Sequence, residues 1–206
     1  MNLVYGNKPR RLFLLVDPTD PAVRTHIGLQ GAIEVLPTVP ASTGYHNALN
    51  ADASTEDMIE RFRVTNAAIY PPRSRAIFAF DRIDDAWGYA DTLPAKTAKR
   101  ILKIAETEGT YLLSLHDASW VNLLRGHRAI PSELVQMACE SYWRGETLLS
   151  KASQLGQHGG RRVPVLQALF FGRLVFPNRV FDKADVARPT GRRPLPAEAE
   201  ETPVDD

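Results

Sequence analysis

The chain has almost no cysteine, no long apolar run and few histidines. Its one cysteine, Cys139, cannot close a disulfide within the chain, which fits a reducing compartment. The longest apolar stretch near the amino terminus, "RLFLLV", is too short for a secretory leader and is closed at once by Asp17. No apolar run is long enough to span a bilayer as a helix. The five histidines never fall at i,i+4, and there is no cysteine cluster, so the spacing of a metal site is missing. P-loop, GxGxxG, HExxH and GxSxG patterns are absent as well. Excess charge is also lacking. The net charge is +1, and the only strong asymmetry is a carboxy-terminal stretch, residues 182–206, with four basic and seven acidic groups. That balance gives no strong nucleic-acid signal. These absences suggest a cytoplasmic protein.

What is present is enough for a core. Hydrophobic residues make up 44% of the 206 and charged residues 24%, which suits one folded domain over 1–181. The acidic, proline-bearing segment 182–206 has too little apolar surface to offset its ordering entropy, so a disordered tail is expected there. Residues 37–53, rich in Pro, Ser, Thr, Gly and Asn, read as a long surface loop.

Hydrophobic periodicity and punctuation place the elements between. Arg11–Val16 reads as a buried strand closed by Asp17-Pro18. A helical turn follows, ending near Gly28 or Gly31. "STEDMIERFRVTNAAIY" reads as a helix with Ser54 or Thr55 as cap, Glu56 and Asp57 at its positive end, and Pro71-Pro72 as its stop. "AIFAF" (76–80) is a strand and "DDAWGYAD" starts a short helix. "PAKTAKRILKIAETEG" reads as the clearest helix, opened by Pro94, striped by Ile101, Leu102 and Ala105, and ended by Gly109. "TYLLSL" (110–115) is a strand. "PSELVQMACESYWRG" is an amphipathic helix ending at Gly145. "VPVLQALFFGRLVF" (163–176) reads as one bent strand or a hairpin about Gly172. The element order lacks regular βαβ alternation and argues for α+β.

Three stretches could carry chemistry. "GQHGGRR" (156–162) could seat a phosphate, although a connecting loop accounts for it better. "SLHDASW" puts His116 and Asp117 at a strand end. Such a pair can serve acid–base work, but neighbours on a strand point to opposite faces and need not meet. Tyr142 and Trp143, near a helix end, suit core packing with one polar partner, and ligand stacking is the other reading.

Together, "IERFR", "YPPRSRAIFAF", an acidic helix start, "SLHDASWV", "ESYWRG" and a closing apolar strand resemble a bacterial and phage family related to the ADP-ribosyltransferases. The resemblance covers roughly residues 10–180. It implies a split, twisted β-sandwich of α+β class with flanking helices and a cleft that grips NAD. It also implies an Arg or His on the first strand, a Ser or Tyr on a middle strand, and a Glu near the last strands that steadies the oxocarbenium ion forming as nicotinamide leaves.

This chain departs from that scheme at each position. Leu14 stands where the Arg or His is expected, with Arg11 the nearest cation. Ser74 precedes the middle strand and Phe78 lies within it, where Tyr is usual. Gln167 takes the place of the Glu, and Glu146 is a possible substitute. Losing a charge from a preorganised site costs on the order of 3 kcal/mol. Two readings follow. One is an NAD-dependent ADP-ribosyltransferase acting on a protein or nucleic-acid acceptor, with Arg11, Ser74, Arg75, Phe78 and Tyr142 at the cofactor and Gln167 or Glu146 at the ribose. The other is a catalytically inactive module of the same fold, a structural or binding protein in a multimer, a larger complex or a phage particle. In the last case it would reside in the virion.

Overall fold

A computed structural model describes residues 2–36, 53–92, 100–125, 130–156 and 163–181. The loop expected over 37–53 lies almost wholly outside the described residues, as do "QHGGRR" (157–162) and the tail 182–206.

The fold is α+β, built on a six-stranded antiparallel sheet. The strands are β1 (Leu3–Gly6), β2 (Arg11–Val16), β3 (Ala32–Val35), β4 (Ile77–Ala79), β5 (Ile101–Asp117) and β6 (Leu166–Val175). Among the described residues six helices flank them: α1 (Pro21–Val23, continuing as a wider π turn over Arg24–Gln30), α2 (Ala53–Asn66), α3 (Ile83–Thr92), α4 (Ser119–Leu124), α5 (Ser132–Arg144) and α6 (Ala152–Leu155). Among the described residues no helix is long and apolar enough to cross a membrane.

β5 and β6 form the spine. β5 carries β2 and β1 in succession along one edge, and β6 carries β4 and β3 along its outer edge. Phe13 and Phe80 then exchange two backbone hydrogen bonds of 2.8 Å. That bridge links the end of β4 to β2 and closes a circuit β2–β5–β6–β4. Closure joins the edges of β2 and β4, which would otherwise be prone to pairing with other chains, while among the described residues β1 and β3 each keep one open edge. Leu12, Leu14, Leu113, Leu169 and Phe170 are fully buried in this circuit. α5 packs on β5, α2 and α4, and α3 packs on β2 and β6.

Several expectations need correction. Residues 101–109 are not helix but the first half of β5, in register with β2 from Arg11↔Glu106 to Val16↔Ile101. The helix expected to run to Tyr70 ends at Asn66. A turn follows, in which the Arg63 guanidinium donates to the Tyr70 carbonyl at 2.8 Å. β1 and β3 were not foreseen. Of the two readings of 163–176, one bent strand and a hairpin, the strand holds, over Leu166–Val175 with Gly172 inside it. The turn before β3 does end at Gly31, in the left-handed region at φ +69°.

Candidate functional site

The Pro71-Pro72 pair fixes an extended entry, and a short 3₁₀ turn over Arg73–Arg75 then drives the Arg73 side chain inward. Arg73 is 3% exposed. A guanidinium cannot shed its charge, so it must be paired where it is buried. Four elements supply the partners. Glu56, in the first turn of α2, takes a two-pronged bond from Nε and a terminal nitrogen, both at 3.0 Å. The Tyr142 hydroxyl, on α5, and Gln167 Oε1, on β6 at 3.3 Å, accept from the other terminal nitrogen. The cation lies 4.8 Å from the Phe78 ring centre and 5.1 Å from that of Tyr142, an arrangement that favours charge over aromatic faces. Burial alone would lower the arginine's proton affinity, but Glu56 and Tyr142 outweigh it and raise it further. Burial pushes the Tyr142 hydroxyl up to about 12, with Arg73 pulling the other way.

His116 extends this junction. It faces Gln167 across the β5–β6 register and stacks on Tyr142 with ring centres 4.5 Å apart and 19° between planes. Its Nδ1 lies 2.7 Å from the Tyr142 carbonyl and its Nε2 2.9 Å from Ser114 Oγ. A carbonyl only accepts, so Nδ1 holds the proton and Nε2 receives the serine hydroxyl. Burial favours this neutral form of the imidazole. Burial, aided by the positive Arg73, lowers its pKa to about 3 despite the opposing carbonyl bond. Asp117 points elsewhere. Its oxygens accept from the backbone amides of Ser119 (2.9 Å), Leu148 (2.8 Å) and Val165 (3.1 Å). His116 and Asp117 each serve the architecture on their own side of the strand, as alternation requires.

Phe78, Tyr142 and Gln167, three of the residues singled out in the sequence, thus meet at Arg73. All three are buried, and Tyr142 has no exposed surface. The remaining candidates do not join them. Leu14 lies on β2 opposite Lys103. Arg11 is exposed at the start of β2, opposite Glu106. Ser74 is exposed and Arg75 half-buried. Glu146 ties down the chain after α5: its carboxylate accepts from Ser141 Oγ at 3.0 Å and pairs with Lys151 at 3.3 Å, and its carbonyl accepts from the Trp120 indole at 2.7 Å. Arg73, Glu56 and Ser114 were not picked as site residues. A usable signal for Arg73 was an arginine placed between a proline pair and a wholly apolar strand.

A dinucleotide fits this junction poorly. Its hydrogen-bonding atoms are already committed to one another, with one exception, the buried Gln167 Nε2, which has no partner. A roomy cavity lies elsewhere. It is a cleft of about 800 Å³ between α3, α4 and the segment leading into β6. Among the described residues no three His, Cys, Asp or Glu side chains gather as a metal-holding group. No family model matches the chain, and no curated protein matches it.

Proposed function

We propose that the chain is a catalytically inactive, ADP-ribosyltransferase-like module that works as a structural or binding protein. The observation that carries this reading is the closed Arg73 junction. Phe78, Tyr142 and Gln167, which the resemblance would set against NAD, are instead buried around a cation that Glu56 neutralises. Gln167 also brings no charge to steady an oxocarbenium ion. The departure at Leu14 supports the same reading, because Leu14 is fully buried and is not among the partners of Arg73.

The test is incubation of the full chain with millimolar NAD, followed by thermal melting and by chromatography for free nicotinamide. The expected result is an unchanged melting temperature and no nicotinamide. Saturable stabilisation together with nicotinamide release would overturn the proposal. A ligand at one hundred times its Kd raises stability by about 2.7 kcal/mol, so binding of that strength is readily seen.

One observation favours the second reading, an NAD-dependent transferase of unusual composition: the unpartnered Gln167 amide donor inside the junction. On that reading NAD binds only after Glu56 swings out. Glu56→Ala would then increase NAD binding, whereas on the first reading it only destabilises the fold.

A further inference from the structure

The cleft beside α3 stands apart from the Arg73 junction and shares none of the partners of Arg73. Its volume falls within the usual range for small-molecule sites, roughly 300–1,000 Å³. Its walls carry both signs of charge. Asp84 and Asp85 come from the first turn of α3, Arg82 from just before it, and Arg125 from the end of α4. Val163, Pro164 and Val165 add an apolar stretch.

Two of these groups are held in place yet incompletely satisfied. Asp85 Oδ1 accepts from the Leu166 amide at 3.1 Å, which fixes the carboxyl against the entry to β6. Its Oδ2 is buried and has no partner. Burial raises the proton affinity of this carboxyl, and the nearby negative charges of Asp84 and Asp117 raise it further, against the Leu166 bond and Arg82. The Arg125 guanidinium is anchored by one bond to Asn122 Oδ1 at 2.9 Å and has no carboxylate partner among the described residues. Arg82, by contrast, pairs loosely with Asp84 at 3.7 Å. The cleft therefore offers one fixed carboxylate with acceptor capacity to spare and one fixed cation lacking an anion. A purely anionic ligand would leave Asp85 unsatisfied, and a purely cationic one would leave Arg125 so. Unsatisfied buried groups cost more than imperfect bonds.

We propose that this cleft binds a small zwitterion of the α-amino-acid type, with its ammonium on the Asp85 carboxylate, its carboxylate on Arg125 and its side chain along Val163–Val165. The inference does not depend on the absence of NAD chemistry.

The test uses the ¹⁵N-labelled full chain, titrated singly with each of the standard L-amino acids at millimolar concentration. Saturable shifts of the Gly88, Asn122 and Val165 amides are expected for at least one, preferentially an aliphatic one. For that amino acid, the N-acetyl form (no cation) and the amide form (no anion) should each bind at least about tenfold more weakly, since each removes a charged hydrogen-bond partner. Asp85→Asn keeps the Oδ1 acceptor for the Leu166 amide and so keeps the fold. It and Arg125→Gln should each abolish the shifts, with an unmoved Leu166 resonance confirming the structure. No shift with any amino acid, or equal binding by both variants, would overturn the proposal. So would equal binding of the acetylated and amidated forms.

Discussion

Arg73 carries its charge in a place where water cannot reach it, so everything around it is a matter of compensation. Removing one partner of a buried pair is costly, because the other charge is left unneutralised. Glu56 keeps about a quarter of its side chain in solvent, which softens the loss. Glu56→Gln should therefore lower unfolding free energy by about 2 kcal/mol, read as an earlier urea midpoint with an unchanged m-value. His116 sets a pH dependence. In the unfolded chain it takes a proton near pH ~6.5, but in the fold only at about 3. Below pH ~6.5 the unfolded state thus binds the extra proton, and stability falls as pH falls, levelling off near the folded value. The contribution is about 1.4 kcal/mol for each pH unit in that window. His116→Gln should flatten this part of the curve of urea midpoint against pH between 6.5 and 4, while the wild-type chain keeps it. At this scale Tyr142 was legible as an aromatic near a helix end, whereas Phe78 and Gln167 stood out only through the family resemblance. The sequence hid Arg73, since an arginine beside a proline pair reads as surface until a carboxylate 17 positions earlier is seen to fold back on it.

The element that misled most is β5. Ile101, Leu102 and Ala105 fall on one side of a helix, and Pro94 and Gly109 look like its ends. In the strand, one face instead carries Lys103, Ala105 and Thr107, all buried. That alternation is invisible to a hydrophobicity pattern because only one of the three is apolar. Lys103 is tolerated because its ammonium donates to the Val180 carbonyl and lies 5.1 Å from the Phe181 ring centre. Pairing with β2 on one edge and β6 on the other outweighs local helix preference. The helices with polar caps or glycine stops were legible, α5 above all, because those signals are local. Two glycines separate conformational need from spatial need. Gly109 has φ +70° and open space around an added Cβ, whereas Gly172 has φ +136° and a Cβ would stand 2.9 Å from that of Tyr111 and 3.1 Å from the Thr110 carbonyl oxygen. Gly109→Ala should cost about 1 kcal/mol from backbone strain alone. Gly172→Ala adds a clash that neither backbone can relieve, and should cost about 3 kcal/mol. Thermal denaturation of the two variants side by side decides whether the difference holds.

For the whole molecule, stability concentrates in the closed circuit. β6 is covered on both edges over much of its length and β5 is so at Glu106 and Leu112–Ser114, whereas β1 and β3 each pair on one side. Amides at 112–117 and 166–171 should exchange with deuterium only through global unfolding, with an opening free energy equal to that from urea denaturation, and β1 amides should exchange earlier. Cys139 gives an independent reading. It is buried on α5, and burial raises its thiol pKa to about 11. Its reaction with a thiol reagent at neutral pH should follow the same opening event. The α+β class was readable from the order of elements. The circuit was not, because one pair of phenylalanines, Phe13 and Phe80, closes it across 67 positions of chain.

Register also has a bearing on how the chain leaves the ribosome. Val16 lies opposite Ile101, 85 positions later, and Ile33 lies opposite Leu174, 141 positions later. The first third of the polypeptide therefore emerges with "RLFLLV" uncovered until β5 has been translated, and with β3 uncovered until the last strand has followed. Long-range pairing of this kind slows folding and leaves sticky segments unprotected in the interval. Nascent chains stalled before β6 should be held by a chaperone or lost to aggregation, and synthesis that runs through Val175 should release them.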